Sequence, residues 1–146
     1  AGLEDLPFVG ADGIFGTEFI NLAGDAAEGV FASSPIPTDE TYEEFLATYE
    51  EVFGIEPTAA FHAYAYDAVN MLLDGIEAVG EIDEDGNLVI SRSALLEFVR
   101  EYGAEEAIPG LSGDLSCDGS GECALGGFNF YEVVDGSYVL VEMEME

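Results

Sequence analysis

The chain has 146 residues, of which 32 are Asp or Glu against two Arg and no Lys, for a net charge of −30, and 49% of it is hydrophobic. That length describes one domain or part of a larger one, and that apolar content excludes global disorder. The charge excludes nucleic acid and anionic membrane surfaces as partners, since their phosphates would be repelled, and no apolar run approaches the ~18 residues a membrane span needs. Like charges at this density resist compaction unless salt screens them. The coat therefore reads as a solvated acidic surface suited to salty surroundings, in preference to a calcium-binding one.

Residues 6–10 read as a short buried strand ending at Gly10. The stretch Gly10-Ala-Asp-Gly13 then sets a carboxylate between glycines where the strand hands over to a helix. Asp12 is the one acid whose place in the pattern looks positioned, within reach of a small cationic group. A helix follows from Thr17 to about Ala26, with Phe19, Ile20, Ala23 and Ala27 on one face. Residues 29–32 form a second strand, and Ser33-Ser-Pro-Ile-Pro37 cannot continue a sheet interior, so it reads as a connector or hinge.

Thr38 or Asp39 caps a helix that runs to Phe53, with an apolar stripe of Tyr42, Phe45, Leu46, Tyr49 and Phe53 and a stop at Gly54. Pro57 or Thr58 opens the next helix, which runs to Val79. Phe61, Tyr64, Ala65, Ala68, Val69, Leu72, Leu73 and Ile76 make it apolar on most sides, the mark of a helix packed against a sheet or between elements. His62 is a helix-surface or capping residue, because nothing near it in sequence supplies a nucleophile it could serve. The acidic run from Glu81 invites an EF-hand alignment, but the twelfth position, which must be a bidentate acid, is Arg92. The run is an acidic turn before the β-prone Leu88-Val-Ile90. Ser91 or Ser93 caps a fourth helix ending near Tyr102-Gly103, with Ala94, Leu95, Phe98 and Val99 inward.

The end of the chain is β. Leu111–Cys117 and Gly127–Val134 flank a turn built of Asp118, Gly119, Ser120, Gly121 and Glu122. Cysteines at the two ends of so tight a turn predict a Cys117–Cys123 disulfide stapling a hairpin, and hence an oxidising compartment. A metal site would need two further ligands, and a redox pair a different spacing. Asp135-Gly136 is a two-residue hairpin signal, returning the chain as a strand over 138–141. The tail from Glu142 to Glu146 alternates and is expected to fray. The chain begins abruptly at Ala1 with no leader, as a mature secreted protein or a piece excised from a longer one would.

The order strand-helix-strand, hinge, three helices and antiparallel strands resembles the C-terminal portion of the type I periplasmic solute-binding proteins, and within them the branched-chain amino-acid receptors of ABC transporters. The carrying motifs are Phe8-Val-Gly-Ala-Asp-Gly13, Leu22-Ala-Gly-Asp-Ala-Ala-Glu-Gly-Val30, Phe61-His-Ala-Tyr-Ala-Tyr-Asp-Ala-Val69, Gly110-Leu-Ser-Gly113 and Tyr131-Glu-Val-Val-Asp-Gly136. Each motif alone is weak, and together in this order they are specific. The cysteine turn is also similar to one found in some of these receptors.

The resemblance implies an α/β fold, a partial type I fold with helices packed on short strands and a C-terminal antiparallel hairpin region. Residues 1–32 and 117–146 would belong to the second of two lobes and residues 38–109 to the first. Residues 33–37 and 110–116 would be crossings between them. The first lobe's early strands would lie upstream of Ala1. By the same resemblance Asp12 matches an acid that pairs with a ligand's α-ammonium, with Gly13 letting backbone come close beside it. Phe61 and Tyr64 match an aromatic wall. The groups that hold the ligand's carboxylate lie in loops this chain does not contain, so the chain alone is expected to lack a complete site. The expected function is amino-acid binding by hinge closure in a periplasmic or cell-surface receptor serving an ABC permease, with no catalytic residues, no cofactor and no metal. Two other readings stand beside it: an excised structural or interaction domain without ligand, and a hydrolase using paired carboxylates. The second is poorer, because no nucleophile, base and orienting group can be drawn together. Missing sheet neighbours would leave apolar faces open, and pairing into a homodimer is the expected way to cover them.

Overall fold

The computed structural model describes residues 6–57, 61–123 and 127–141. It divides into two compact units, one of residues 1–62 with 127–146 and the other of residues 63–126.

The first unit is built on a four-stranded sheet. β1 (Val9–Gly10) lies parallel to β2 (Phe31–Ser34), β2 antiparallel to β7 (Asn129–Val134), and β7 antiparallel to β8 (Ser137–Leu140). Between β1 and β2 the chain makes a 3-10 turn over Asp12–Ile14, α1 (Thr17–Ala23) and a second 3-10 turn over Gly24–Ala27. The expected single helix is thus shorter than its sequence pattern and breaks at Gly24. Its predicted face is used: Phe19, Ile20 and Ala23 close on a core of Ala27, Val30 and Val133 together with Ile14 and Tyr138. Asp135 and Gly136 both take positive φ, 51° and 72°, the conformation of a type I′ turn, so β7 and β8 pair as expected. The Glu28 carboxylate fastens that turn by accepting from the backbone N–H groups of Asp135 and Gly136.

α2 (Glu40–Phe53) follows the proline segment and also belongs to this unit. Its cap is Asp39, whose carboxylate accepts from the N–H of Tyr42 at 2.9 Å, and Gly54 ends it in the left-handed conformation. Tyr42 is buried and Phe45, Leu46 and Tyr49 are half-buried, whereas Phe53, expected on the same stripe, is exposed.

The second unit joins α3 (His62–Val79), whose first residue falls in the other unit, to α4 (Arg92–Arg100). The tight hairpin between them pairs β3 (Gly80–Ile82) with β4 (Leu88–Ile90). Of the two expected starts for α3, Pro57 is not helical, and Thr58 lies outside the described residues. The acidic run is a hairpin turn in which the Asp83 carboxylate accepts from the N–H groups of Asp85 and Asn87 and from the Asn87 side chain. Those bonds hold the Asp83 carboxyl below its usual range, first through Asn87. Ser91 caps α4, which presents Ala94, Leu95, Phe98 and Val99 as its less exposed face. A small antiparallel pair, β5 (Ile108–Pro109) with β6 (Asp114–Leu115), then leads into the cysteine loop.

The core of this unit is Met71, Tyr102, Leu115 and Cys117, with Phe98, Val99, Ile108 and Cys123 against it. The Cys117–Cys123 disulfide is formed. The N–H of Ser116 donates to the carbonyl of Cys123 and that of Asp118 to Glu122, so the loop doubles back on itself as a staple. It does not, however, join two strands that pair with each other. The strand after it, β7, has crossed to β2, because the inward Tyr131 and Val133 complete the other unit's core.

α3 differs most from its sequence pattern. Ala63, Asp67, Met71 and Gly75 are its buried residues, one full row four apart. Of the residues expected inward, Tyr64 and Ile76 are half-buried, while Phe61, Ala65, Ala68, Val69, Leu72 and Leu73 are exposed. Among the described residues the second unit's strands form only two two-stranded pairs, β3 with β4 and β5 with β6.

Candidate functional site

Asp12 and Gly13 sit in the 3-10 turn just past the carboxyl end of β1, whose parallel neighbour β2 ends at Ser34. The carboxyl ends of parallel strands are where open α/β sheets take ligands, because the chain leaves the sheet there and opens a crevice lined by backbone amides. The turn is rigidly braced from below. The Tyr138 hydroxyl donates to the carbonyl of Ile14 at 2.5 Å, and the Phe15 ring lies 4.5 Å from both Tyr131 and Tyr138. Burial pushes the phenols of Tyr131 and Tyr138 up, so both rings are neutral packing surfaces at ordinary pH.

Above that brace Asp12 is half-exposed, and among the described residues no donor is hydrogen-bonded to its carboxylate. Gly13 is exposed, and a Cβ built on it would meet no atom within 4 Å. The pair therefore presents one uncommitted negative charge beside open space, on a turn held by three aromatic rings. Chemically this can neutralise and orient a small cation such as an ammonium.

The two aromatic candidates lie elsewhere in the chain. Phe61 is half exposed immediately before α3, and Tyr64 is half-buried in its first turn, with its phenol pushed up by burial and then by the charge of Asp67. Phe61 belongs to the unit that holds Asp12 and Tyr64 to the other. His62, at the start of the same helix, is hydrogen-bonded through Nε2 to the Tyr42 hydroxyl at 2.6 Å and stacks on Phe45 at 5.9 Å. It is part of an aromatic cluster with α2, as the sequence reading of a structural histidine expects.

One polar centre was not singled out from sequence. The Asp67 carboxylate is buried on α3 and accepts from the N–H of Leu111 at 2.7 Å, the N–H of Ser112 at 2.7 Å and the hydroxyl of Ser112 at 2.6 Å. Gly110 has to be glycine there, since a Cβ would stand 2.8 Å from Asp67 Oδ2 and 2.9 Å from the carbonyl of Gly113. The signal was present as an acid four residues from Ala63 and Met71, in the row of α3 that turns out to be buried. Among the described residues no group of three or more His, Cys, Asp or Glu is arranged to hold a metal ion, and no helix is long and apolar enough to cross a membrane.

The parallel strand pair thus carries an acid just past its carboxyl end and is extended by antiparallel strands from the far end of the chain. The periplasmic binding protein family matches residues 1–136, and the chain belongs to that family. A Leu/Ile/Val-binding protein homolog of Brucella abortus is 30% identical over 92% of this chain. A leucine-, isoleucine-, valine-, threonine- and alanine-binding protein of Pseudomonas aeruginosa is 34% identical over 58% of it. In structure, a leucine-binding protein of Thermotoga maritima superposes with a TM-score of 0.69 at 26% identity, over 92% of this chain and 36% of its own. A branched-chain amino-acid binding protein of Streptococcus pneumoniae, crystallised with isoleucine, superposes at 0.71 over 94% of this chain and 37% of its own; at 21% identity that likeness is one of fold. The chain spans about a third of the length of the Brucella relative, 34%.

Proposed function

We propose that this chain is the C-terminal part of an extracytoplasmic receptor that hands a small amino acid to an ABC permease, and that Asp12 supplies the counter-charge for the ligand's α-ammonium. The observation that carries the reading is the Asp12 carboxylate: positioned by a braced turn at the end of a parallel strand, yet hydrogen-bonded by none of the described residues. Gly13 leaves the ligand's backbone room to approach. Phe61 and Tyr64 are assigned to the wall that faces the ligand side chain.

Residues 33–37 and 110–116 are assigned as lobe crossings, and binding proceeds by hinge closure with no bond made or broken. The formed disulfide and membership of the periplasmic binding protein family support an oxidising, extracytoplasmic setting. The relatives described above are binding proteins, which supports a role without catalysis. The groups that grip the ligand's carboxylate are expected outside the third of the fold present here, so contact with the isolated chain is weak.

The test is a heteronuclear NMR titration of the 146-residue chain with leucine in molar salt. Amide shifts confined to residues 10–16, absent with N-acetyl-leucine and absent in Asp12→Asn, are expected. Shifts that persist with N-acetyl-leucine or in Asp12→Asn, or no shift in that segment, would sink the assignment of Asp12.

A further inference from the structure

Five Asp-Gly pairs lie in this chain, at 12–13, 74–75, 85–86, 118–119 and 135–136. In such a pair the glycine nitrogen can reach the aspartyl side-chain carbon, because no Cβ on the glycine obstructs the approach and its backbone turns freely. Attack needs the N–H unengaged and the carboxyl free to swing beneath it. A hydrogen bond to either group holds the two apart.

Four of the five pairs are tied down. Gly75 lies inside α3, and the Asp74 carboxylate accepts from the Tyr102 hydroxyl. Gly86 N–H donates to the carbonyl of Asp83 at 3.0 Å. Gly119 N–H donates to the carbonyl of Arg100 at 3.1 Å, while the Asp118 carboxylate is occupied by Ser120 and Glu122. Gly136 N–H donates to the Glu28 carboxylate. Asp12-Gly13 differs: among the described residues neither the Asp12 carboxylate nor the Gly13 N–H is hydrogen-bonded. The backbone bonds of this turn run from Ile14 to Ala11 and from Phe15 to Asp12. The aromatic brace takes hold at Ile14 and Phe15, beyond the 12–13 peptide. Swinging that peptide therefore breaks one bond of the turn, from Phe15 N–H to the Asp12 carbonyl.

We propose that Asp12-Gly13 is a modification site, the pair at which the folded chain isomerises its own aspartate, with water as the only other reactant. The Gly13 nitrogen attacks Asp12 Cγ. The N–Cγ bond forms as a Cγ–O bond breaks, and the departing hydroxyl leaves with the amide proton as water. The resulting five-membered succinimide takes water back at either carbonyl. One opening restores aspartate; the other leaves the main chain running through Cβ and Cγ, as isoaspartate, with atoms and electrons unchanged overall. The negative charge survives, but the turn has gained a methylene and the acid's side chain has lost one. The inference rests on hydrogen bonding at the turn and not on amino-acid binding, so it stands or falls apart from the ligand role of Asp12.

The experiment ages the 146-residue chain in molar salt at mildly acidic pH, beside a urea-denatured sample. Incubation continues until the denatured chain has isomerised at all five pairs, and isoaspartate is mapped by electron-transfer fragmentation of its peptides. In the folded sample, isoaspartate at residue 12 is expected at least tenfold above that at each of the other four pairs. Gly13→Ala is expected to lower it at least fivefold; a Cβ there meets no atom within 4 Å, and circular dichroism checks that the variant keeps the parent's fold. Isoaspartate spread over the five pairs as in the denatured chain, a larger yield at any other pair, or an unaltered residue 12 in the folded chain would overturn the proposal. A yield at residue 12 indifferent to Gly13→Ala would overturn it too.

Discussion

Asp67 shows how a charge can be held in an apolar setting. Its two oxygens take three donors from Leu111 and Ser112, so the cost of removing the carboxylate from water is met by bonds to the charged form. Deleting it strands two buried N–H groups and a hydroxyl. Asp67→Ala is expected to lower stability by about 3 kcal/mol, read as a shift in the urea midpoint at constant salt, and Gly110→Ala to lower it as well by pushing a methyl group against the same carboxylate. A midpoint unchanged in both would mean the clasp contributes nothing. Two phenols behave in the opposite sense. Burial pushes Tyr42 up to about 12, with the charge of Tyr131 adding to it, and pushes Tyr102 up to about 12 with help from its hydrogen bond to Asp74. The fold favours the neutral forms, so their contribution is complete below the ordinary phenol value of ~10 and is lost as pH rises toward about 12. An absorbance titration is expected to show late-ionising phenols, one fewer in Tyr102→Phe.

At the scale of elements, local chemistry carries the helix ends. Asp39→Ala removes the side-chain acceptor for Tyr42 N–H and is expected to cost about 1 kcal/mol. Reducing the disulfide, which closes a short loop with a sequence separation of 6, is expected to cost about 2 kcal/mol; a thermal melt with and without reductant measures it. The caps of α2 and α4, the Gly54 stop, the Asp135-Gly136 turn and the cysteine staple were all legible because each depends on residues within a few positions of one another. Asp12 and Gly13 were legible as a glycine-flanked acid for the same reason. The inward side of α3 was not. Apolar periodicity says which residues seek cover, not whether the cover is present, and here Phe61, Val69, Leu72 and Leu73 are outside while Ala63, Asp67, Met71 and Gly75 are inside. The strand flanking the cysteine loop was likewise misjudged in its partner, since β7 joins β2 across almost a hundred positions and no local signal encodes that choice.

For the whole molecule the acidic coat dominates. With 32 carboxylates against two guanidinium groups, self-repulsion opposes folding at low ionic strength. Raising salt shortens the screening length from about 10 Å at 0.1 M to about 3 Å at 1 M. The melting temperature is therefore expected to rise by about 10 °C or more over that range, a few kcal/mol for a chain this size; a flat profile would show that the charges are already compensated. The pairing of β2 with β7 bears on the order in which the protein is made. Phe31 meets Glu132, so the first unit is written in two instalments with the second unit threaded between them. On the ribosome the intervening α-helical portion can fold while β2 still has an empty flank. Sheet closure then waits for β7, and a nascent chain halted before Asn129 would carry a folded insert on an unfinished host.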